Sequence, residues 1–204
     1  MRRTATEAEK TRRAIVAVAR RLFAAHGYAG TSTMAVVDEA GVTRGALYHH
    51  FDDKTALFRA VFVELEHELN DSVATTALAE DKPLDAFMAG CGALLDFVTR
   101  PDYHQIALVD APAVLGSDAW HEIDAAIGLA SMQAGLDALD HAGYLRVAAT
   151  PALAVLLFGA LTEAGLVLSR DGADAPARQD LLDTFMCLVT HHAPPGGSDA
   201  STAP

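Results

Sequence analysis

The chain has 204 residues, enough for one or two domains with a sizeable apolar core. Apolar residues make up 51% and aromatics 6%, and 41 residues are Ala, so the composition leans all-α and excludes a disordered chain. The formal net charge of −12, taken whole, argues against a nucleic-acid binder, and two cysteines, Cys91 and Cys187, are too few for a disulfide framework.

In chain order, Ile15, Val18, Ala19, Leu22 and Phe23 recur at helical spacing from Glu7 to His26, and Gly27 ends that helix as a C′ glycine does. Thr31-Ser32-Thr33 offers N-caps for a short second helix ending near Ala40. Gly41 breaks the pattern, and a third short helix spans about Thr43 to His50. Asp52-Asp53-Lys54 opens a longer fourth helix carrying Leu57, Phe58, Val61, Phe62, Leu65 and Leu69. A further helix is expected from Pro83 to about Val98, then a short segment from Tyr103 to Asp110. Pro112 and Gly116 mark a loop. Ser117 to His141 reads as a long helix stopped by Gly143. Thr150-Pro151 starts another, reaching about Ser169, and Pro176 begins the last, to about His192. The residues from 193 to 204 read as a disordered tail. The fold class expected is all-α with about nine helices and no strand.

The charge is uneven. Residues 1–60 carry ten basic and six acidic side chains, +4, which leaves −16 on the remainder. Either a solvated N-terminal helix precedes an ordinary acidic protein, or a small basic head meets an anion. No uninterrupted apolar stretch follows the charged N-terminus, so no signal peptide is expected and a cytoplasmic location is.

From Gly27 to Leu57 the sequence reads GYAGTSTMAVVDEAGVTRGALYHHFDDKTAL. Gly27-Tyr28, Thr31-Ser32, Ala40-Gly41-Val42, Gly45, Leu47-Tyr48, His50-Phe51 and Lys54 resemble the DNA-binding domain of the TetR family of bacterial transcriptional regulators. Gly41 permits the tight turn, and Val36, Ala40, Val42, Leu47 and Phe51 are the expected small core of a helix-turn-helix. Thr43, Arg44, Ala46, Tyr48, His49 and His50 would then be exposed on the recognition helix, where hydroxyls, guanidinium and ring donors reach phosphates and base edges. The resemblance implies phosphate contacts from Thr33, Tyr48, His50 and Lys54, and places Arg44, Gly45, Ala46 and His49 nearest the bases. Lys54 also stands at a helix start, where an anion is favoured. His49-His50 could instead be a surface pair or half a metal site, but no further ligand stands near at suitable spacing. Met34 and Val37 depart from the residues common in the family.

The resemblance divides the chain into a head, residues 1–60, and an effector-binding and dimerisation body, residues 61–192. Thr150 to Ser169 carries one charge, Glu163, and is either a buried interface helix or a membrane span. With the last helix it resembles the pair that packs as a four-helix bundle between protomers, giving Leu157, Leu161, Leu168, Leu182, Phe185 and Val189 as interface residues. A homodimer also suits two half-sites roughly 34–36 Å apart. The effector pocket is expected among Phe87, Cys91, Leu94, Phe97, Ile106, Val109, Asp110, Trp120, Ile123, Ile127 and Met132, each of which also reads as ordinary core. The acidic body favours a neutral or cationic effector over an anionic one. His104, Asp110, His121 and Glu122 match no ligand spacing, and no metal or cofactor is expected. Cys91 and Cys187 lie in apolar helical patterns and read as inert thiols rather than a redox switch.

The function expected is a dimeric repressor of a palindromic operator, released by a small molecule. An activator or effector-independent regulator of the same family is the alternative. A helical small-molecule enzyme and a membrane-associated protein are more distant ones; no nucleophile elbow or phosphate loop supports an enzyme.

Overall fold

Gly27 and Gly41 act as breakers through their backbone geometry, and three polar side chains cap the helices that follow. Gly27 (φ 68, ψ 171) interrupts α1, Ala5–Gly30, and Gly41 (φ 63, ψ 31) takes the left-handed conformation that closes α2, Thr33–Ala40. The Ser32 hydroxyl caps α2 by accepting from the Ala35 N–H at 3.1 Å. The Thr43 hydroxyl caps α3, Arg44–His50, by accepting from the Ala46 N–H at 3.1 Å. Asp53 opens α4, Lys54–Ala77, by accepting from the Ala56 N–H at 2.7 Å.

These are the features of a computed structural model that describes residues 5–169 and 177–190. Then follow α5, Pro83–Val98; α6, a continuous helical run over residues 101–115; α7, Ser117–His141; α8, Pro151–Leu168; and α9, Arg178–Val189. The protein is all-α: nine helices and no strand stand among the described residues, with one isolated antiparallel bridge between Leu145 and Thr190. The expected tail over 193–204 and the Pro176 start lie outside the described residues.

The loop expected at Pro112 is helical instead. Within α6, His104–Asp110 is π-helical, and the Ala111 N–H bonds back five residues to the Ile106 carbonyl. That register puts Pro112 in the first turn of Ala111–Leu115, where its missing N–H leaves no vacancy in the ladder. Gly116 (φ 85) ends the run, and Gly143 (φ 75) follows α7.

The chain forms two compact units, and their boundary differs from the division at residue 60. One gathers the residues up to Leu69 with Phe97–Ile127, and the other Asn70–Asp96 with the residues from Gly128 onward. The first owes its extent to α6, which is tied to α1 by charge. Arg20 bonds Glu68 and Asp102, and Arg100 bonds Glu68 at 2.9 Å and Asp102 at 3.0 Å. Its core holds Ile15, Phe23, Leu47, Phe58, Phe62 and Ile106, all fully buried. The second unit is built on Leu95, Leu136, Leu139, Phe158, Leu161 and Met186, with the Phe87 and Phe185 rings stacked 6.3 Å apart. Arg178 pairs with Asp96 at its edge, with Nη2 to Oδ2 at 2.8 Å.

The residues expected at a dimer interface need correction. Leu157, Leu161, Leu182, Phe185 and Val189 are buried in their own unit, and Leu168 is half-buried. The apolar side chains that α8 and α9 leave uncovered are Val155, Leu156 (71% exposed) and Leu188 (69% exposed). Both helices are apolar on more than one face, and periodicity alone does not say which face turns to the chain's own core. By length and composition α8 is apolar enough to cross a membrane, with mean hydropathy 1.9, though core helices pass the same test.

Gly128 on α7 lies beneath the Phe158 ring, so that a Cβ there would stand 2.3 Å from ring carbon Cε2. Gly128→Ala is expected to lower stability by about 1–3 kcal/mol, the usual cost of overpacking. Urea unfolding checks this, with Phe158→Leu in the same background restoring part of the loss. An unchanged midpoint contradicts it.

Candidate functional site

The recognition face is assembled from α2 and α3. The Thr33 and Tyr48 hydroxyls lie 3.4 Å apart, and the Arg44 guanidinium sits over the Tyr48 ring, 5.5 Å from its centroid. The Thr33 hydroxyl, helped by the Arg44 charge, holds the Tyr48 phenol below its ordinary pKa range. Thr43, Arg44, Gly45, Tyr48 and His49 are exposed, and Ala46 and His50 are half-buried. A Cβ on Gly45 would meet nothing within 4 Å, so the backbone there is open to close approach. The His49 and His50 rings meet edge to face at 5.3 Å, on the last turn of α3. Behind this face Val36, Val37, Leu47 and Phe51 are buried, while Ala40 and Val42 are half-buried. Val37 therefore packs in the core, and Met34 points outward.

Two of the expected contact residues also have structural work. The Thr43 hydroxyl is the α3 cap described above. The Lys54 ammonium turns inward, donating to the Tyr28 carbonyl at 2.9 Å and the Thr31 carbonyl at 3.0 Å, and it lies 3.9 Å from the centroid of the Tyr28 ring. Lys54 thus clamps the α1–α2 junction to the start of α4. The Thr31 hydroxyl closes the same junction by donating to the Gly27 carbonyl at 2.9 Å.

The eleven residues expected to line an effector pocket divide between the units. Phe97, Ile106, Val109, Asp110, Trp120, Ile123 and Ile127 fall in the first, and Phe87, Cys91, Leu94 and Met132 in the second. Val109 is 46% exposed and lines no interior. Asp110 is engaged within the first unit. Its Oδ2 accepts from the Tyr28 backbone N–H at 2.8 Å and from the Gln105 amide at 3.2 Å. The cause is local: Gly27 leaves the helical path, which frees the next N–H for a carboxylate on α6. Burial pushes the Cys91 thiol up to about 12, so it is not a nucleophile at neutral pH; Cys187 is half-buried.

A polar centre that the sequence reading missed lies in the first unit. Glu66 on α4 is 3% exposed, Tyr103 on α6 is 4% exposed and Asp124 on α7 is 8% exposed. The Tyr103 hydroxyl donates to Glu66 Oε1 at 2.9 Å. The Asp124 oxygen Oδ2 is enclosed and has no hydrogen-bond partner among the described residues. Burial, with the Asp124 charge adding to it, pushes the Glu66 carboxyl up to about 8. Burial raises Asp124 to about 6 against the opposing pull of His121. A signal was present: Glu66 stands four residues after Phe62 on the apolar stripe of α4, and Asp124 one turn after Trp120.

Two expected outcomes follow from these contacts. Lys54→Met keeps the alkyl stem but removes the charged donor, and is expected to lower stability to urea by about 1.5–3 kcal/mol, with an unchanged midpoint contradicting it. Glu66 binds its proton more tightly folded than unfolded, where a carboxyl titrates near 4.5. Its contribution to stability is therefore complete below about pH 4.5 and is lost as pH rises towards 8. Wild-type stability should fall across that window, and Glu66→Gln should flatten the fall; parallel pH profiles would contradict it.

Comparison with known proteins accords with this geometry. A family model described as bacterial regulatory proteins, tetR family, matches residues 15–61, and one described as tetracyclin repressor-like, C-terminal domain, matches residues 84–191. The chain is 42% identical over 82 residues to the HTH-type transcriptional regulator TtgR of Pseudomonas putida, covering 40% of this chain and 39% of that protein. It is 40% identical over 75 residues to the HTH-type transcriptional repressor AcnR of Corynebacterium diphtheriae, covering 37% and 40%. The matches thus span about two fifths of the length of these curated relatives. The crystal structure of a TetR-family transcriptional regulator from Pectobacterium atrosepticum superposes with a TM-score of 0.73 at 34% identity, covering 91% of this chain and 93% of that one. The chain belongs to the TetR family of bacterial regulatory proteins.

Proposed function

We propose that this protein is a ligand-responsive transcriptional repressor in the cytoplasm, which binds a palindromic operator as a homodimer and is released by a small molecule. The observation that carries the reading is the exposed face of α3, where Arg44, Tyr48 and His49 stand together with Thr33 of α2 alongside. Charge supports it, because the basic residues concentrate in the first sixty positions of an otherwise acidic chain.

In this reading Thr33, Tyr48 and His50 position the head on phosphates, and Arg44, Gly45, Ala46 and His49 approach the base edges. Lys54 acts by holding the head in shape. Two copies join through the uncovered apolar face of α8 and α9 that carries Val155, Leu156 and Leu188. Burying these side chains removes apolar surface from water, which is the ordinary driving force of a stable homodimer. The effector is neutral or cationic, as suits a body in which acids far outnumber bases.

Arg44→Ala and Tyr48→Ala are each expected to weaken operator binding by about 1–3 kcal/mol while the dimer persists. A mobility-shift assay on an operator found by genomic footprinting measures the first, and sedimentation the second. Affinity should also fall steeply with salt as phosphate contacts release counterions. Unchanged operator binding in both variants contradicts the reading.

A further inference from the structure

We propose that Glu66, Tyr103 and Asp124 form the polar anchor of the effector site, and that this anchor takes a protonated organic amine with an apolar body. The inference rests on the ligand-responsive reading above and names the chemistry of its ligand.

Three helices of one unit each bring one group to the centre: Glu66 from α4, Tyr103 from α6 and Asp124 from α7. All three are more than nine-tenths buried. The Asp124 charge acts on both Glu66 and Tyr103. Two acids are held in the interior, and the Tyr103 hydroxyl donates to one of them, Glu66.

Buried carboxylates are normally paired with a cation or fully hydrogen-bonded, since desolvation otherwise costs several kcal/mol. Neither holds here. Arg20 and Arg100, basic residues of the same unit, are engaged with Glu68 and Asp102. The imidazole of exposed His121 is the one basic group that acts on Asp124. Asp124 Oδ2 has no donor among the described residues. A self-sufficient core would place an apolar residue at such a position, whereas a cation-binding site needs an acceptor left open for the ligand.

The surroundings define the rest of the ligand. Glu66 lies among the buried Phe62, Leu65 and Leu69 of α4, and Tyr103 packs edge to face on Phe97 with centroids 5.5 Å apart. Such neighbours suit a hydrocarbon or aromatic body. An ammonium donates N–H bonds to Asp124 Oδ2 and to Glu66, and Glu66 gives up to solvent the proton it holds at neutral pH. Binding therefore exchanges one proton for one cation.

The test is calorimetric titration of the full-length protein at pH 7 with phenethylammonium, 2-phenylethanol and 3-phenylpropionate, in two buffers of different ionisation enthalpy. The ammonium is expected to bind about tenfold or more tightly than either analogue and to release about one proton. Glu66→Gln and Asp124→Asn should each weaken the ammonium about tenfold or more, and Glu66→Gln should abolish proton release. The proton count on the wild type needs no variant, so poor folding of either substitution leaves a decisive readout. The proposal is overturned if the alcohol or the carboxylate binds as tightly, if no proton is released, or if none of the three binds. Operator binding by the same preparation is measured alongside: its loss overturns the repressor reading, and its presence without ammonium binding overturns only the amine site.

Discussion

The corner at Gly27 and Tyr28 is the point on which the first unit depends. Gly27 adopts a positive φ that an L side chain would resist, and α1 changes direction there. Tyr28 then meets two other elements of the unit, α4 and α6, as well as its own helix, with every part of the residue. Its N–H donates to Asp110 on α6, its carbonyl accepts from Lys54, its hydroxyl meets Thr55 at 2.9 Å, and its ring packs on Phe23 and Phe58. The orientation of α2 and α3 relative to α1 and α4 follows from how this corner is held. A family motif that reads as a DNA-contact signature is, at Gly27, Tyr28, Thr31 and Lys54, largely the chemistry of that corner.

The same helical run reaches the buried acids. Tyr103 donates to Glu66 near the start of α6, and Asp110 accepts from Tyr28 seven residues later. The π-helical stretch lies between them. A π segment shifts the bonding register by one residue, and such segments recur at functional sites. In the proposed mechanism a ligand at Glu66 and Asp124 acts on DNA affinity through this run. It does so only to the extent that it binds one arrangement of α6 better than another.

Most of the helical skeleton was legible in the sequence because its stops are chemical. Gly41, Thr43, Thr150-Pro151 and Gly143 act through caps and backbone geometry that do not depend on tertiary context. The α7 bounds expected at Ser117 and His141 are the observed ones. Pro112 misled, since a π-helical register satisfies it inside a helix. The face choice of α8 and α9 was not legible, because Leu157 and Leu156 carry the same side chain and differ only in which way they turn. Charge on a short motif reads as a contact, so the sequence points Lys54 and Asp110 towards ligands. Their partners include backbone groups, the Tyr28 and Thr31 carbonyls and the Tyr28 N–H, which a sequence does not display. Glu66 and Asp124 do not stand out in the sequence, because a single acid within an apolar stripe resembles ordinary solvent exposure until its burial is known.

The whole-chain charge of −12 conceals a basic head of +4 and an acidic remainder of −16. In the proposed function the basic head approaches phosphate, and the acidic remainder disfavours DNA elsewhere on the surface. The remaining requirement is that the head be held in one shape, which the Asp110–Tyr28 contact supplies. Asp110→Ala removes that contact without touching α3. Fluorescence anisotropy of the variant on operator DNA, with helicity and dimer checked in parallel, should show affinity reduced about 5–30-fold, the factor that 1–2 kcal/mol carries. Affinity equal to that of the wild type would contradict it.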